Sequence, residues 1–581
     1  MNNTATVRVK QRRLCVKAPY TLKEKLAALP TARWDRHLRA WTYEPTPTTA
    51  HRINQAMFDA FCAGEIEGTD YDDNMKALLL AACCRPHNHQ TVQLARGDWP
   101  HQGRAVSWLL NKLGMADSVL AQRGARCGAM LAWEMGTGKT RATLRYIERA
   151  GLRRVVVIAP YSVLHVWPRE ARRVWRERTQ GQYQVEALES GSVAKRVKRF
   201  QAILKFPAWL VVINYEAARQ ERMLKALQAA RPELLVLDEC HRIKSPGGVT
   251  SRRLAALAKA IPRVLGLTGT PMPHSPLDIY AQLRTIDPGV FGLSAARFRA
   301  RYATLESKPY APVPVVTGYR NLEELHERLE WVAYRLRADE VLTLPPLRTT
   351  ERYVVLPARV RQAYDELEHE FITWLDELGN RPIVAANVLV KVLRLQQLAS
   401  SIVPVDDGEW TLLEPAKQVA LAEWLEDIGG APSVVFARFH GDLAQVRAAC
   451  SKLGRPCYEL SGTVKQLDDW DNDASGQAVL AVQLQAGSLG INLTKAQHAA
   501  FMSLPQSLGE YRQAIARLHR AGQGHPVVIT HIVAIDTVDE AILAALRSKG
   551  EVVDFVLDEL RNRHAMRQFI EACRERNKEG A

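Results

Sequence analysis

Four short apolar runs constrain this chain more than any other feature. They are VVVIAP at 155–160, WLVVIN at 209–214, ELLVLDE at 233–239 and RVLGLTG at 263–269, with helix-patterned stretches between them. Runs that are apolar at nearly every position suit strands buried on both faces. Such strands alternating with helices make a doubly wound parallel sheet. YVVL at 353–356 begins a second series. After helices over 357–427 it continues with SVVFARF (433–439), AVLAVQ (478–483), HAAFMSL (498–504) and VVITHIV (527–533). The expected fold class is α/β, with two tandem doubly wound lobes and a cleft between them that holds the chemistry.

A chain of 581 residues is too long for one core, so further units are expected. Residues 1–50 read as a small α+β module. VRVKQRRLCVK (7–17) alternates apolar and basic positions like a strand or hairpin, LKEKLAALP is helix-like, AWTYEP is strand-like, and PTPTTA closes the module. Residues 51–95 read as a helical linker. Lobe 1 is expected over 96–346, with a helix-rich insertion at about 289–346. Lobe 2 is expected over 347–560, with an insertion at about 357–427, and 561–581 form a tail. Within the module, Arg8, Lys10, Arg12, Arg13 and Lys17 lie near Trp34, Trp41 and Tyr43. Two readings stay open there: a small aromatic core with solvated charges, or a surface for phosphate contact and base stacking.

Composition narrows the function classes. With 47% hydrophobic and 24% charged residues the chain is globular rather than disordered. A net charge of +16 implies an acidic partner, of which nucleic acid is the commonest. Nine cysteines, an odd and scattered set, give no disulfide framework and point to a reducing compartment. The start, MNNTATVRVKQRR, has no apolar h-region, and no run of about 18 apolar residues occurs, so neither a signal peptide nor a membrane span is expected. The expected location is the cytoplasm: nucleoid-associated in a bacterium, or the host cytoplasm for a virus. CCRPHNH gathers Cys83, Cys84, His87 and His89, but adjacent cysteines suit a tetrahedral zinc site poorly, and buried thiols with surface histidines are expected instead.

Three motifs carry chemistry. AWEMGTGKT (132–140) sits between the turn-like RGARCGAML and a helical run, the context of a phosphate loop, although Trp133 stands where G-x-x-x-x-G-K-T has its first glycine. Gly136 and Gly138 let the backbone approach closely, Lys139 would reach the β- and γ-phosphates, and Thr140 would hold Mg²⁺. LLVLDECH ends an apolar strand in Asp238, which would orient Mg²⁺, and Glu239, which would polarise the attacking water. QAIARLHRAGQ (513–523) places Arg517 and Arg520 three apart on one expected helix face, where both would act as arginine fingers.

Taken in order, LAWEMGTGKT, VVVIAPYSVLHVWPRE, VVINYE, LDECHRIKS, LGLTGTP, QAGSLGINLT and QAIARLHRAGQ resemble the superfamily-two helicases, and in wording the Swi/Snf-type double-stranded DNA translocases. HQ at 101–102, YRLRADEVLTLPP at 334–346 and AIDTVDEAI at 534–542 fit the same family, and the resemblance covers about residues 96–545. It implies two RecA-like lobes, ATP with Mg²⁺ as cofactors, and DNA, double-stranded above all, as partner. It also implies roles. Gln102 would read the adenine edge. Met135, Gly136, Thr137, Gly138, Lys139 and Thr140 would form the phosphate loop. His241, Thr268, Gly269 and Thr270 would couple nucleotide state to DNA. Ser162 and Trp167 lie in the segment that would touch the DNA backbone. Gly487, Gly490 and Asn492 would contact backbone or nucleotide from lobe 2, and Gln513, Arg517 and Arg520 would complete the ATP site. The family commonly has aspartate where Trp133 stands; Trp133 either packs under the loop or reaches toward ligand. Cys240, Pro273 and His274 also depart from the family's usual residues. The N-terminal module resembles the HARP-type domain of annealing helicases. The expected activity is an ATP-driven motor tracking along duplex DNA. The alternatives are a strand-separating DNA or RNA helicase and a catalytically inactive DNA-binding scaffold.

Overall fold

The computed structural model describes residues 4–10, 13–72, 75, 79, 98–114, 126–175, 183–273, 275–307, 314–378, 385–404, 410–485 and 491–548. The chain divides into two compact units, the first comprising Met1–Ser307 with Pro314–Leu342 and the second taking up the chain from Thr343.

The first unit opens with a five-stranded sheet, β1 (Thr4–Lys10), β2 (Arg13–Lys17), β3 (Arg33–Asp35), β4 (Ala40–Tyr43) and β5 (Gly68–Tyr71), ordered β3-β4-β2-β1-β5. The alternation seen in 7–17 becomes an antiparallel hairpin that buries Val7, Val9, Leu14 and Val16 on one face. Helix Pro47–Cys62 covers that face with Ile53 and Met57. PTPTTA therefore starts a helix instead of closing the module: the Thr46 hydroxyl accepts the Thr49 N–H at 3.1 Å and Pro47 takes the first turn, where its missing N–H costs nothing. β5 then returns to pair in parallel with β1, so the module's sheet reaches past the boundary expected near residue 50. Its aromatics divide: Tyr43 is core, whereas Trp34 is half exposed and meets Trp41 edge-on at 5.5 Å.

Packing fixes the module to the lobe that follows. The Thr48 hydroxyl donates to Asp287 Oδ2 at 2.7 Å within buried surroundings, and the His51 ring lies 4.1 Å from that of Trp331. A Cβ at Gly289 would fall 2.5 Å from the Thr46 and Thr49 hydroxyls, so only glycine permits this approach.

The lobe contains β6 (Cys127–Trp133), β7 (Arg154–Ala159), β8 (Gln184–Ala187), β9 (Trp209–Asn214), β10 (Leu234–Asp238) and β11 (Arg263–Thr268). Next come the hairpin of β12 (Ala303–Glu306) with β13 (Val315–Tyr319), and β14 (Ala333–Leu336). The sheet is parallel throughout, ordered β14-β6-β11-β10-β7-β9-β8. The stretch read as turn-like, RGARCGAML, supplies β6, whose seven residues are all buried. The expected insertion holds helices Ala295–Tyr302 and Leu322–Glu330, but it also returns β14 to the sheet beside β6.

The second unit has β15 (Leu347–Val354), the small hairpin β16 (Ile402–Pro404) with β17 (Trp410–Leu412), and then β18 (Ser433–Ala437), β19 (Cys457–Leu460), β20 (Val479–Gln483), β21 (His498–Phe501) and β22 (Val527–Ala534). Its main sheet is parallel, ordered β15-β22-β21-β18-β20-β19. β15 begins at Leu347, earlier than YVVL indicated, because its first residues are exposed and those after Leu347 are polar. Helices Ala358–Leu378, Ala385–Ala399 and Ala416–Asp427 fill the second insertion. Both units are thus doubly wound α/β lobes. Among the described residues no helix is long and apolar enough to cross a membrane. Cys83, Cys84, His87 and His89 lie outside the described residues.

Candidate active site

β6 runs straight into the glycine-rich turn. Gly136 (φ 80°) and Gly138 (φ 84°) occupy the left-handed region, which explains glycine at both places. Helix Lys139–Arg149 starts at Gly138 with no side chain capping it, so its first N–H groups face the loop, the arrangement that receives phosphate. Lys139 Nζ donates to the Trp133 carbonyl at 2.9 Å and the Glu134 carbonyl at 3.3 Å. Thr140 is half-buried at the helix start and Met135 half-buried in the turn. Thr137 is buried, its hydroxyl on the Glu134 carbonyl at 2.7 Å and its carbonyl 2.8 Å from His101 Nε2.

Trp133 packs under the loop. It is fully buried, edge-on to Tyr334 at 5.7 Å and to His101 at 5.3 Å. Gln102 is buried against the loop as well: a Cβ on Gly138 would collide with its Nε2, while its Oε1 accepts the Trp99 N–H at 2.9 Å. Sequence reasoning missed Asp98, whose buried carboxylate clasps Arg141 and, at 2.7 Å, Arg145 Nε, fastening the segment before Gln102 to the helix after the loop.

The carboxylates end β10. Burial, reinforced by the charge of Glu239, pushes the Asp238 carboxyl up to about 6, opposed by the Trp167 indole N–H and the Lys139 ammonium. The indole donates to Asp238 Oδ2 at 2.9 Å, and the buried Tyr215 hydroxyl donates to the Asp238 carbonyl at 2.8 Å. Glu239 is held at φ 52°, a left-handed conformation that a non-glycine residue keeps only where its surroundings impose it. Its Oε2 lies 3.4 Å from His241 Nδ1, which is 3.1 Å from the Thr268 hydroxyl. That hydroxyl accepts the Thr270 N–H at 3.1 Å, and a Cβ on Gly269 would touch Met135 and the Trp133 carbonyl at 3.5 Å. His241, Thr268 and Thr270 therefore form one hydrogen-bonded network beside Glu239, and Gly269 within it passes close to the phosphate loop. Cys240 is buried with its thiol on Gln282 Oε1 at 3.2 Å, and burial holds that thiol well above its ordinary range.

Two expectations are corrected. Trp167 does not present its ring to a DNA backbone: it is buried and bonded to Asp238, because it shares an inward helix face with Ala171 and Val174. Arg517 and Arg520 do not share a helix face. The helix Leu508–Leu518 ends before Arg520, since His519 leaves helical geometry and bonds the Pro345 carbonyl at 2.7 Å. Gln523 Nε2 gathers the Ala496, Thr494 and Leu518 carbonyls in the turn that follows. The Leu493 N–H donates to the Arg517 carbonyl at 3.0 Å and Arg520 Nη1 to the Ile491 carbonyl at 3.4 Å, so the two arginines and the Asn492 segment still belong to one cluster of the second unit. Arg517, Arg520 and Gln513 are half-buried, Asn492 is exposed, and Ser162 is half-buried in a single 3₁₀ turn. Gly487, Gly490 and His274 lie outside the described residues.

A glycine loop with its lysine, facing two carboxylates at the C-terminal ends of a parallel sheet and followed by a second α/β unit, defines a P-loop ATPase of the helicase superfamily. The chain belongs to the SNF2-related family: the SNF2-related domain matches residues 101–401 and the helicase conserved C-terminal domain residues 417–522. Protein p41 of Acyrthosiphon pisum secondary endosymbiont phage 1 is 29% identical over 456 residues, 74% of this chain and 94% of that protein. Human ZRANB3, a DNA annealing helicase and endonuclease, is 24% identical over 455 residues, 75% of this chain and 39% of its own length. The yeast ISWI chromatin-remodeling complex ATPase ISW1 is 24% identical over 488 residues, 80% of this chain and 41% of its own. The chain spans about two fifths of these two eukaryotic relatives. The solved Sulfolobus solfataricus SWI2/SNF2 ATPase core in complex with dsDNA aligns with TM-score 0.37 at 21% identity, over 81% of this chain and 96% of that one.

Proposed function

We propose that this ATPase uses hydrolysis to translocate along duplex DNA. The observation that carries the reading is helix Val166–Trp175. Its buried face holds Asp238 through Trp167, while Arg169, Arg172 and Arg173 form an exposed basic face on the same helix. A change at the carboxylate is thereby one hydrogen bond away from a surface suited to phosphodiester contact. The net charge of +16 and the DNA-directed relatives agree with that partner.

In this reading Lys139 and the first-turn N–H groups bind the β- and γ-phosphates, Glu239 orients the attacking water, and Gln102 flanks the base side of the loop. Thr140 and Asp238 would hold a magnesium ion, whose charge would favour the ionised form of a carboxyl that burial raises to about 6. The ion would supply positive charge to offset the negative charge that develops on the phosphate during hydrolysis. Arg517 and Arg520 supply guanidinium groups to the γ-phosphate. His241 and Thr268 pass the change at Glu239 along β11.

The test is the rate of ATP hydrolysis with blunt duplex DNA, forked DNA, single-stranded DNA and RNA. Strongest stimulation by blunt duplex is expected. Stimulation confined to single strands would replace translocation with strand separation, and no hydrolysis with any ligand would leave a DNA-binding scaffold.

A further inference from the structure

Away from the nucleotide site, residues 28–33 and Arg52 of the N-terminal module face residues 291–302 and Arg328 of the lobe across a cavity of about 630 Å³. Five guanidinium groups line it: Arg33, Arg52, Arg297, Arg301 and Arg328. One carboxylate, Glu324, meets them, bonding Arg301 at 2.6 Å and also Arg328, and accepting the Tyr302 hydroxyl at 3.2 Å. Asp287, the other acidic group near Arg52, accepts from the Thr48 hydroxyl and the Gly289 N–H. Arg33, Arg52 and Arg297 make no side-chain hydrogen bond or ion pair with any described residue.

Arg52 carries the contrast furthest. Its Nε is sealed from solvent without an acceptor, and burial together with the charge of Arg328 pushes the guanidinium down to about 10. Leaving a half-buried cation with a sealed, unbonded N–H among like charges costs stability unless something compensates it. Planar, forked donors match the oxygens of phosphate, as they do those of a carboxylate, and the net charge of +16 and the nucleotide-scale cavity favour a phosphate partner.

We propose that this seam between module and lobe is a phosphate-binding site, occupied by the backbone of a nucleic-acid strand. A free di- or triphosphate has the same oxyanion chemistry, so the experiment separates the two sources. The site extends the DNA-binding reading but is read out without hydrolysis, so its failure and that of translocation are distinguishable.

The full chain carrying Lys139→Ala, which removes the P-loop lysine, is compared with the same chain carrying Arg52→Gln and Arg297→Gln. Labelled single-stranded and blunt duplex oligonucleotides are titrated by fluorescence anisotropy over a series of KCl concentrations, and inorganic pyrophosphate is titrated by thermal shift. The glutamine variant should bind at least one oligonucleotide about 10-fold more weakly, with the slope of log K against log [KCl] reduced by about one for each phosphate no longer neutralised. Arg52→Lys with Arg297→Lys should restore most of both. Pyrophosphate stabilisation that vanishes in the glutamine variant, with oligonucleotide binding intact, would keep the phosphate site and assign it to a free ligand. Arg52→Gln should also raise the melting temperature of the ligand-free protein, by relieving the repulsion between like charges. Arg297→Gln alone, at an exposed position, serves if the double variant misfolds. Unchanged oligonucleotide affinity and salt slope, with pyrophosphate stabilisation also unchanged, would overturn the proposal.

Discussion

The Trp167 indole tunes the titration of Asp238. The indole N–H stabilises the ionised carboxylate that burial disfavours, so removing the donor raises the carboxyl further. Trp167→Phe keeps the packing and loses the bond. The acid limb of kcat/KM against pH, which reports the free protein, should move upward by about one unit from its position near pH 6. An unmoved limb would mean that Asp238 does not govern it. Trp133 gives a second prediction. It fills the space beneath the phosphate loop, and its indole N–H finds no acceptor among the described residues. Restoring the family's aspartate by Trp133→Asp leaves a cavity and a buried carboxylate, and should cost about 4 kcal/mol or more in chemical denaturation. Trp133→Phe should cost far less.

At the scale of elements, β22 provides a pH sensor of stability. Its His531 is buried, with Nε2 2.9 Å from the Tyr511 hydroxyl, and burial pushes the imidazole down to about 4. The unfolded chain takes up that proton near pH 6.5. Stability is therefore fully present above about pH 6.5 and is lost as pH falls toward 4, by about 2.5 kcal/mol at pH 4.5. Urea titrations at pH 7.5 and 4.5 should show this loss shrinking by about that amount in His531→Asn; equal losses in the two proteins would contradict it. The strands themselves were legible, because a run such as LLVL, up to the carboxylate that ends it, has no polar position to expose and so must be buried on both faces. β6 was not, since its glycine and cysteine read as a turn until the neighbouring strands bury them. The inward direction of Trp167 had a signal, apolar residues at 167, 171 and 174, which a reading for DNA contacts passes over. The helix end at Leu518 had none: LHRAGQ carries no local stop before Gly522, and the break is made by His519 and Gln523 reaching carbonyls distant in sequence.

For the whole molecule, the residue types of the phosphate loop and of the carboxylate strand are set by local chemistry, so both could be read directly. Asp98 and Tyr215 could not, because they act through contacts that only the fold creates. The arginines fall between: their identity is plain in the sequence, their helix phase is not, and their role depends on two units that fold around separate sheets. The central claim of the proposed function is that Arg520 takes part in ATP hydrolysis. Single-turnover ATP hydrolysis by Arg520→Ala, with saturating blunt duplex DNA and with ATP affinity measured in parallel, tests it most directly. The account predicts a loss in rate on the order of 10³ with affinity nearly unchanged; hydrolysis at the unsubstituted rate would contradict it.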